Sequence, residues 1–516
     1  MKTIQKENII FPVIISIIFV FVFSYIFNPK IDLNGDNCDY FMGATSIATG
    51  HGYSNISNPD YPAISTFPIG YPLIMSSLRV FTDSIIAQKI FNGIFFLASI
   101  ILTYFFMIGV GIKRMTAFII GIIMIFNERV LHFSTMMMSE LSFLFTSVLA
   151  IYGIYRMRNQ EKNIFTNPWF YISLLSLILN YHIRTQGITL IAAVIIFFLF
   201  NKEWKNSIIY AAGFVIGLLP YMIRNKIQNL GQSRYLDTIA IANPWRPEEG
   251  TLTLTEVITR FFETLGMLIT KALPNSVFPF FDIDYNIVST SKFWAIGIVM
   301  ITLIVIGYCR LKEYKWIFIF YSIFTFGIIS IFSTPSGNRY ITSILPFFTM
   351  GLALGIYTLF EYFVKKNEKS LKYLQFVLLI MIIPAIKPIQ KLHAMNNQPF
   401  PTNYQNFFAI GSEIRKQLPG SVKVASRKPS LLYMYSRTPV CGYPYTKDTK
   451  AFVEGLLNSK ADYIILDQLG YSSTAIYMLP AIQAYPDVFK VVGHLPNPDT
   501  YLFMIDKEKA REVIGK

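Results

Sequence analysis

Just after the first long apolar run, residues 34–72 read NGDNCDYFMGATSIATGHGYSNISNPDYPAISTFPIGYP and set Asp36, Asp39 and Asp60 among aromatics and glycines. Carboxylates held beside a bilayer, where water is scarce, are groups whose protonation matters, and such a group can take a proton from an acceptor hydroxyl or amine. Asp36, Tyr40 and Ala44 recur at steps of four, which predicts one side of a helix with Asp36 at its start, where the helix dipole favours the ionised form. The same spacing suits an N-terminal helix cap equally well. Asp39 reads as a solvated neighbour, and with Tyr40, Tyr53, Tyr71 and Tyr340 it completes the set of candidate substrate contacts.

A second carboxylate, Glu140, stands at the lip of an apolar run in MMMSEL, where an ionisable group costs a few kcal/mol unless it faces a polar cavity or a partner. Three arginines share one expected depth: Arg184 in YHIRTQG, Arg224 in LPYMIRN and Arg339 in GNRYITSILP. Outer loops ordinarily avoid arginine, so three at outer ends call for an anionic partner, and the guanidinium fork suits phosphate; snorkelling to lipid headgroups is the alternative. Lys271, His51, His132 and His182 are further helpers. The five histidines show no zinc-type spacing and there is no phosphate-binding loop motif, so neither zinc nor soluble-nucleotide chemistry has support.

The elements that must position these groups are membrane spans. A chain of 516 residues that is 53% hydrophobic and 15% charged cannot bury its apolar surface in an ordinary soluble core. Apolar runs at 9–27, 87–110, 115–126, 137–155, 169–181, 187–200, 208–223, 293–308, 316–332, 341–363 and 374–386 predict a polytopic α-helical membrane protein of about eleven transmembrane segments. Some, such as 115–126, are short enough to be half-helices. The first run has no small-residue cleavage site behind it and reads as an uncleaved helix.

The net charge of +15 sits in short clusters between these runs, which excludes nucleic acid as the partner it would otherwise suggest. Fourteen basic residues fall in the loops around 113–114, 156–162, 202–205, 310–315 and 365–372, against one each at Arg129, Arg184 and Arg339 on the other side. The N-terminus, with Lys2 and Lys6, is therefore expected in the cytoplasm. The first loop (28–86), the large loop 224–292 with Pro244, Pro247, Pro274 and Pro279, and the tail are expected outside. That gives a membrane domain over 1–395 and, from 396–516, an extracytoplasmic α/β domain of short β-rich and helix-like pieces in alternation. Cys38, Cys309 and Cys441 show no pairing pattern and read as free thiols.

On these residues the sequence resembles the GT-C superfamily of integral-membrane glycosyltransferases, close to the protein O-mannosyltransferases and the aminoarabinose transferase of lipid A. The family's first loop is matched by Asp36, Tyr40 and Ala44, by Gly50-His51-Gly52-Tyr53 and by Pro68-Ile69-Gly70-Tyr71-Pro72. Its later motifs are matched by Ser139-Glu140, by Arg184 with Gly187, by Pro220 with Arg224-Asn225 and by Arg339-Tyr340 with Pro346. Many relatives carry an Asp-Glu pair where Asn37 follows Asp36 here, which counts against a two-carboxylate or metal-assisted site.

The resemblance implies transfer of one sugar from a polyprenyl-phosphate donor to an acceptor protein, lipid or glycan on the outer face of the plasma (inner) membrane, by inverting displacement. Asp36 would be the base, Glu140 its assistant, and Arg184, Arg224 and Arg339 the groups that hold the leaving phosphate. No cofactor is expected, and an obligatory divalent cation is not favoured. The competing class is a transporter or flippase of a lipid-linked anion, which predicts paired half-repeats and broken helices at the midplane, whereas the sequence shows no repeat and its charges cluster at one surface. A non-catalytic scaffold whose tail binds a surface protein is a third reading.

Overall fold

The computed structural model describes residues 7–58, 60–230, 239–243, 246–279, 289–332, 337–364 and 368–515. Lys2, Lys6, Pro244, Lys365 and Lys366, and the stretches 231–238 and 280–288 of the large loop, lie outside the described residues.

Helix α1 (Glu7–Ile26) runs into a short connection, and α2 (Asp36–Ala48) and α3 (Gly70–Arg79) occupy the first loop. Then come α4 (Ile85–Gly109), α5 (Arg114–Ile125), α6 (Glu128–Ser134), α7 (Glu140–Arg158), α8 (Pro168–Ile183), α9 (Ile188–Phe200) and α10 (Trp204–Ile227). Beyond the large loop, which contributes α11 (Leu254–Met267), the bundle resumes with α12 (Ser291–Cys309), α13 (Lys315–Ile331), α14 (Gly337–Thr342) and α15 (Leu345–Val364).

Among the described residues seven helices are long and apolar enough to cross a membrane, against the eleven expected runs. Two of the four missing runs have a geometric cause. The run at 115–126 ends at a 68° bend between α5 and α6, and α9 belongs to an apolar helix of only 16 residues, Thr185–Phe200. Such short helices depend on neighbours, since a backbone group left unpaired in hydrocarbon costs several kcal/mol. Asn127, at the bend, meets this demand: its side chain accepts from Val130 N and donates to Ser276 O at 2.9 Å.

Residues 424–505 carry a five-stranded sheet in the order β2-β1-β3-β5-β4. β1 (Val424–Ala425), β2 (Val440–Cys441) and β3 (Tyr463–Leu466) run parallel, while β5 (Thr500–Ile505) is antiparallel to both β3 and β4 (Phe489–Leu495). One face of this sheet shares a buried core with the first loop: Ile31 and Cys38 pack with Phe407, Leu431, Leu432 and Ile465. The tail is therefore seated on the base of α2, and Val440 N extends the contact by donating to Ser57 O at 3.3 Å.

Candidate functional site

The start of α2 excludes the cap reading of Asp36. Gly35, at φ +100°, is the residue before the helix, and its N–H is satisfied by the Asn37 side chain at 3.1 Å. A positive φ of this kind favours glycine, so the turn is built without the Asp36 carboxylate. Asp36 is the first helical residue and does not cap; its Oδ2 accepts from Arg339 Nη1 at 2.8 Å.

Glu140 begins α7 at the same end of the bundle. Its side chain is wholly buried; its Oε1 accepts from Arg339 Nε at 2.9 Å and is ion-paired with Arg184 Nη1 at the same distance. Two guanidiniums at contact distance offset the loss of water that burial imposes on this carboxylate. Its other oxygen, Oε2, is buried without a hydrogen-bond partner, so one acceptor position in the cluster is open to a ligand donor. Arg184 also donates to Ser139 Oγ at 3.0 Å, Ser139 lies 3.4 Å from the Tyr40 hydroxyl, and the Tyr340 ring lies against the Arg184 guanidinium at 5.5 Å.

The helices that hold this cluster are pinned by polar groups in an apolar setting. Buried Asn180 on α8 donates to Phe143 O, Thr146 Oγ1 and Ser147 Oγ on α7, at 2.8–2.9 Å, which fixes the end of α8, and so Arg184, beside the start of α7. At Gly70 a Cβ would meet the His182 carbonyl carbon at 2.4 Å and Ile183 N at 2.5 Å, so only glycine lets α3 approach the end of α8 this closely. Lys271 is buried in the π-helical turn Leu268–Ala272, which packs against α14, the helix of Arg339.

Four of the five expected groups therefore meet: Asp36, Glu140, Arg184 and Arg339. Arg224 does not join them. It donates to Tyr53 O at 2.7 Å, Ile64 O at 3.1 Å and Asn225 Oδ1 at 2.9 Å, so its fork secures the backbone of the first loop. Arg224 and His182 instead border one end of an apolar groove of about 490 Å³ between α3, α8 and α10. Leu73 and Leu175, both on its wall, are exposed on the bundle's flank.

Tyr71 is buried with its ring edge-on to Tyr40 at 5.0 Å, and the Tyr53 hydroxyl donates to Phe67 O at 2.9 Å. Asp39, expected to be solvated, faces the tail and accepts from the Ser430 hydroxyl. Burial raises its carboxyl, against that hydrogen bond and with the Asp36 charge adding to the rise, to about 7. Asp60 is exposed, His51 stacks on Tyr61 at 4.1 Å, and His132 is half-buried on α6. Sequence reasoning missed Lys428 and Ser430, which donate to Asn34 O and Asp39. The signal was the basic SRKPS stretch at 426–430.

A divalent ion does not suit this donor set. Both carboxylates are already bridged by guanidinium charge, and among the described residues no group of three or more His, Cys, Asp or Glu side chains lies together. What the arrangement can do is hold an anion at the arginines, beside a carboxylate with about 30% of its side chain open to solvent.

A family model described as dolichyl-phosphate-mannose-protein mannosyltransferase matches residues 64–227. No curated protein matches the chain by sequence. Among solved structures, ArnT from Cupriavidus metallidurans in the apo state aligns with a TM-score of 0.61 at 10% identity, over 96% of this chain and 98% of that one. The same protein bound to undecaprenyl phosphate gives 0.61 at 8% identity, over 95% and 97%. The Archaeoglobus fulgidus oligosaccharyltransferase, in complex with Zn and sulfate, gives 0.58 at 12% identity, over 96% of this chain and 73% of that one. At 8–12% identity these matches show a shared fold: over nearly its whole length the chain is folded like ArnT and like the oligosaccharyltransferase.

Proposed function

We propose that the chain transfers a single sugar from a polyprenyl-phosphate donor to an acceptor on the outer face of the membrane, by inverting displacement with Asp36 as the base. The observation that carries this reading is the meeting of Asp36, Glu140, Arg184 and Arg339, contributed by four separate elements, at one end of the bundle. A polyprenyl-phosphate-linked donor is further supported by the family model's description and by the undecaprenyl phosphate named for the solved relative.

The two carboxylates and two guanidiniums balance in charge, so an arriving phosphodiester must compete for an arginine. Arg339 is the one to exchange, because its Nη1 is held only by the more open carboxylate, Asp36, while its Nε stays on buried Glu140. Moving Nη1 to the phosphate places positive charge where the leaving group develops and frees Asp36 in the same step. Asp36 then takes the proton of the acceptor hydroxyl or amine as that atom bonds to the anomeric carbon. The bond from that carbon to phosphate breaks, and the electron pair leaves with the polyprenyl phosphate. Glu140 Oε2 is left to orient a donor group of either substrate. The apolar groove beside Arg224 and His182 suits the prenyl chain, since it is open at the flank where lipid lies.

The test is Asp36→Asn in protein reconstituted with a polyprenyl-phosphate-linked sugar. Loss of transfer with donor binding retained is the expected result; transfer at the original rate would refute the assignment of the base.

A further inference from the structure

The end of the bundle away from Asp36 and Glu140 holds a cavity of about 630 Å³. Three connections frame it: the one between α7 and α8, the one between α9 and α10, and the turn Lys312–Tyr314 that leads into α13. Its volume falls within the roughly 300–1,000 Å³ of sites that take a small ligand. From Glu140 to Arg158 helix α7 advances about 27 Å, close to the roughly 30 Å of hydrocarbon in a bilayer. A cavity beside Arg158 therefore sits at the headgroup level of the leaflet opposite the carboxylate cluster. Phe165 on its wall is exposed, as are Trp204 and Ile208 on the turn of α10 that brings Lys205 and Ile209 to it, so an apolar flank adjoins the polar interior.

Part of the charge in this cavity is already committed. Arg158 joins Glu203 to Glu313, and Asn206 donates to the second oxygen of Glu203 at 2.7 Å, so these groups build the wall. Lys162 and Lys205 line the same cavity, and among the described residues neither ammonium pairs with a carboxylate. Three cations against two carboxylates leave the lining positive. The side-chain oxygen of Gln160, Oε1, is buried there without a hydrogen-bond partner, and such an atom calls for a donor. The cavity thus asks for an anion and a hydrogen-bond donor in one ligand.

We infer that it binds the headgroup of an anionic glycerophospholipid whose phosphodiester is followed by a free hydroxyl, the chemistry of phosphatidylglycerol. The phosphodiester is held by Lys162 and Lys205, a glycerol hydroxyl donates to Gln160 Oε1, and the acyl chains pass over Phe165, Trp204 and Ile208 into the bilayer. A choline headgroup meets neither demand, because it brings its own cation and has no donor. The site stands apart from the proposed sugar transfer, and the inference does not depend on that reading.

The full-length protein in detergent micelles is titrated with dioleoylphosphatidylglycerol and read by native mass spectrometry. Dioleoylphosphatidylcholine, dioleoylphosphatidylmethanol and inorganic phosphate are the separate probes; phosphatidylmethanol keeps the phosphodiester charge and lacks the hydroxyls. Phosphatidylglycerol is expected to bind about tenfold or more tighter than phosphatidylcholine, and the Lys162→Gln/Lys205→Gln double variant to lose that margin. Gln160→Leu is expected to abolish the preference over phosphatidylmethanol. Lys113→Gln, at the same end of the bundle but outside the cavity, is expected to bind as the original chain does. Equal affinity of the original chain for phosphatidylglycerol and either control lipid, an equal loss in Lys113→Gln, or displacement of the lipid by an equal concentration of inorganic phosphate would overturn the inference. Thermal unfolding of each variant guards against misfolding; should Gln160→Leu unfold, the comparison of phosphatidylglycerol with phosphatidylmethanol on the original chain decides the part of the hydroxyl.

Discussion

Two arginine–carboxylate clusters stand at opposite ends of the helical bundle, and they are built from the same parts. At one end Arg158 joins Glu203 at 2.6 Å to Glu313 at 3.0 Å; at the other Arg339 joins Asp36 at 2.8 Å to Glu140 at 2.9 Å. The first cluster lies near the surface, with Glu313 about 39% exposed, and its guanidinium is covered by the rings of Phe197 and Tyr314. The second buries Glu140 completely, leaves one of its oxygens without a partner and keeps Asp36 open. Charge pairing alone therefore does not mark a site; a desolvated group with unused bonding capacity beside an accessible carboxylate does.

Breaking the second cluster tests that distinction hardest. Asp36→Asn is expected to lower the turnover of sugar transfer by about 10²–10⁴-fold, the usual worth of a general base, in a reconstituted assay. Glu140→Ala leaves the Arg184 guanidinium without its carboxylate in a buried setting and Arg339 with Asp36 alone, and is expected to cost about 3–5 kcal/mol, read as a large fall in the unfolding temperature together with loss of transfer. The matched change at the other end, Arg158→Met, removes pairs that water partly screens. It is expected to cost about 1 kcal/mol or less and to leave the transfer rate intact. Equal damage from both would erase the contrast.

A smaller effect sharpens the boundary between the membrane cluster and the tail. The Asp39 carboxyl titrates near 7 in the folded chain, well above the ordinary value of an aspartate. The folded state thus holds a proton that the unfolded state releases between about pH 4 and 7, and stability falls as pH rises through that window. Hydrogen exchange in the helix Pro429–Ser436, which carries Ser430, is expected to quicken from pH 5 to pH 8. Asp39→Asn is expected to flatten that dependence.

Much of the membrane portion was legible because apolar length and charge asymmetry act locally along the chain. The steps of four from Asp36, the intramembrane Glu140 and the arginines at the ends of runs all fell on helix ends at one level of the bundle. That Arg224 stands apart from the cluster was not legible, because its partners lie in a distant backbone: the carbonyls of Tyr53 and Ile64 face it only once the first loop has folded. Asp39 was misjudged for the same cause, since the group that buries it, Ser430, is 391 residues away in sequence. The 68° bend after α5 was foreshadowed only by the shortness of the run, whereas the partner that fixes it, Ser276 O, carries no sequence mark.

The core shared by Cys38, Leu431 and Leu432 bears on the order of synthesis. The helix that starts with Asp36 leaves the ribosome early, yet the wall against which it settles is made almost last. While the intervening helices insert, that early segment has only half of its final surroundings, and a nascent chain halted before residue 428 would lack the lysine and serine that donate to Asn34 O and Asp39. Catalytic competence would then arrive in a single late event, after the lipid-embedded framework is already standing.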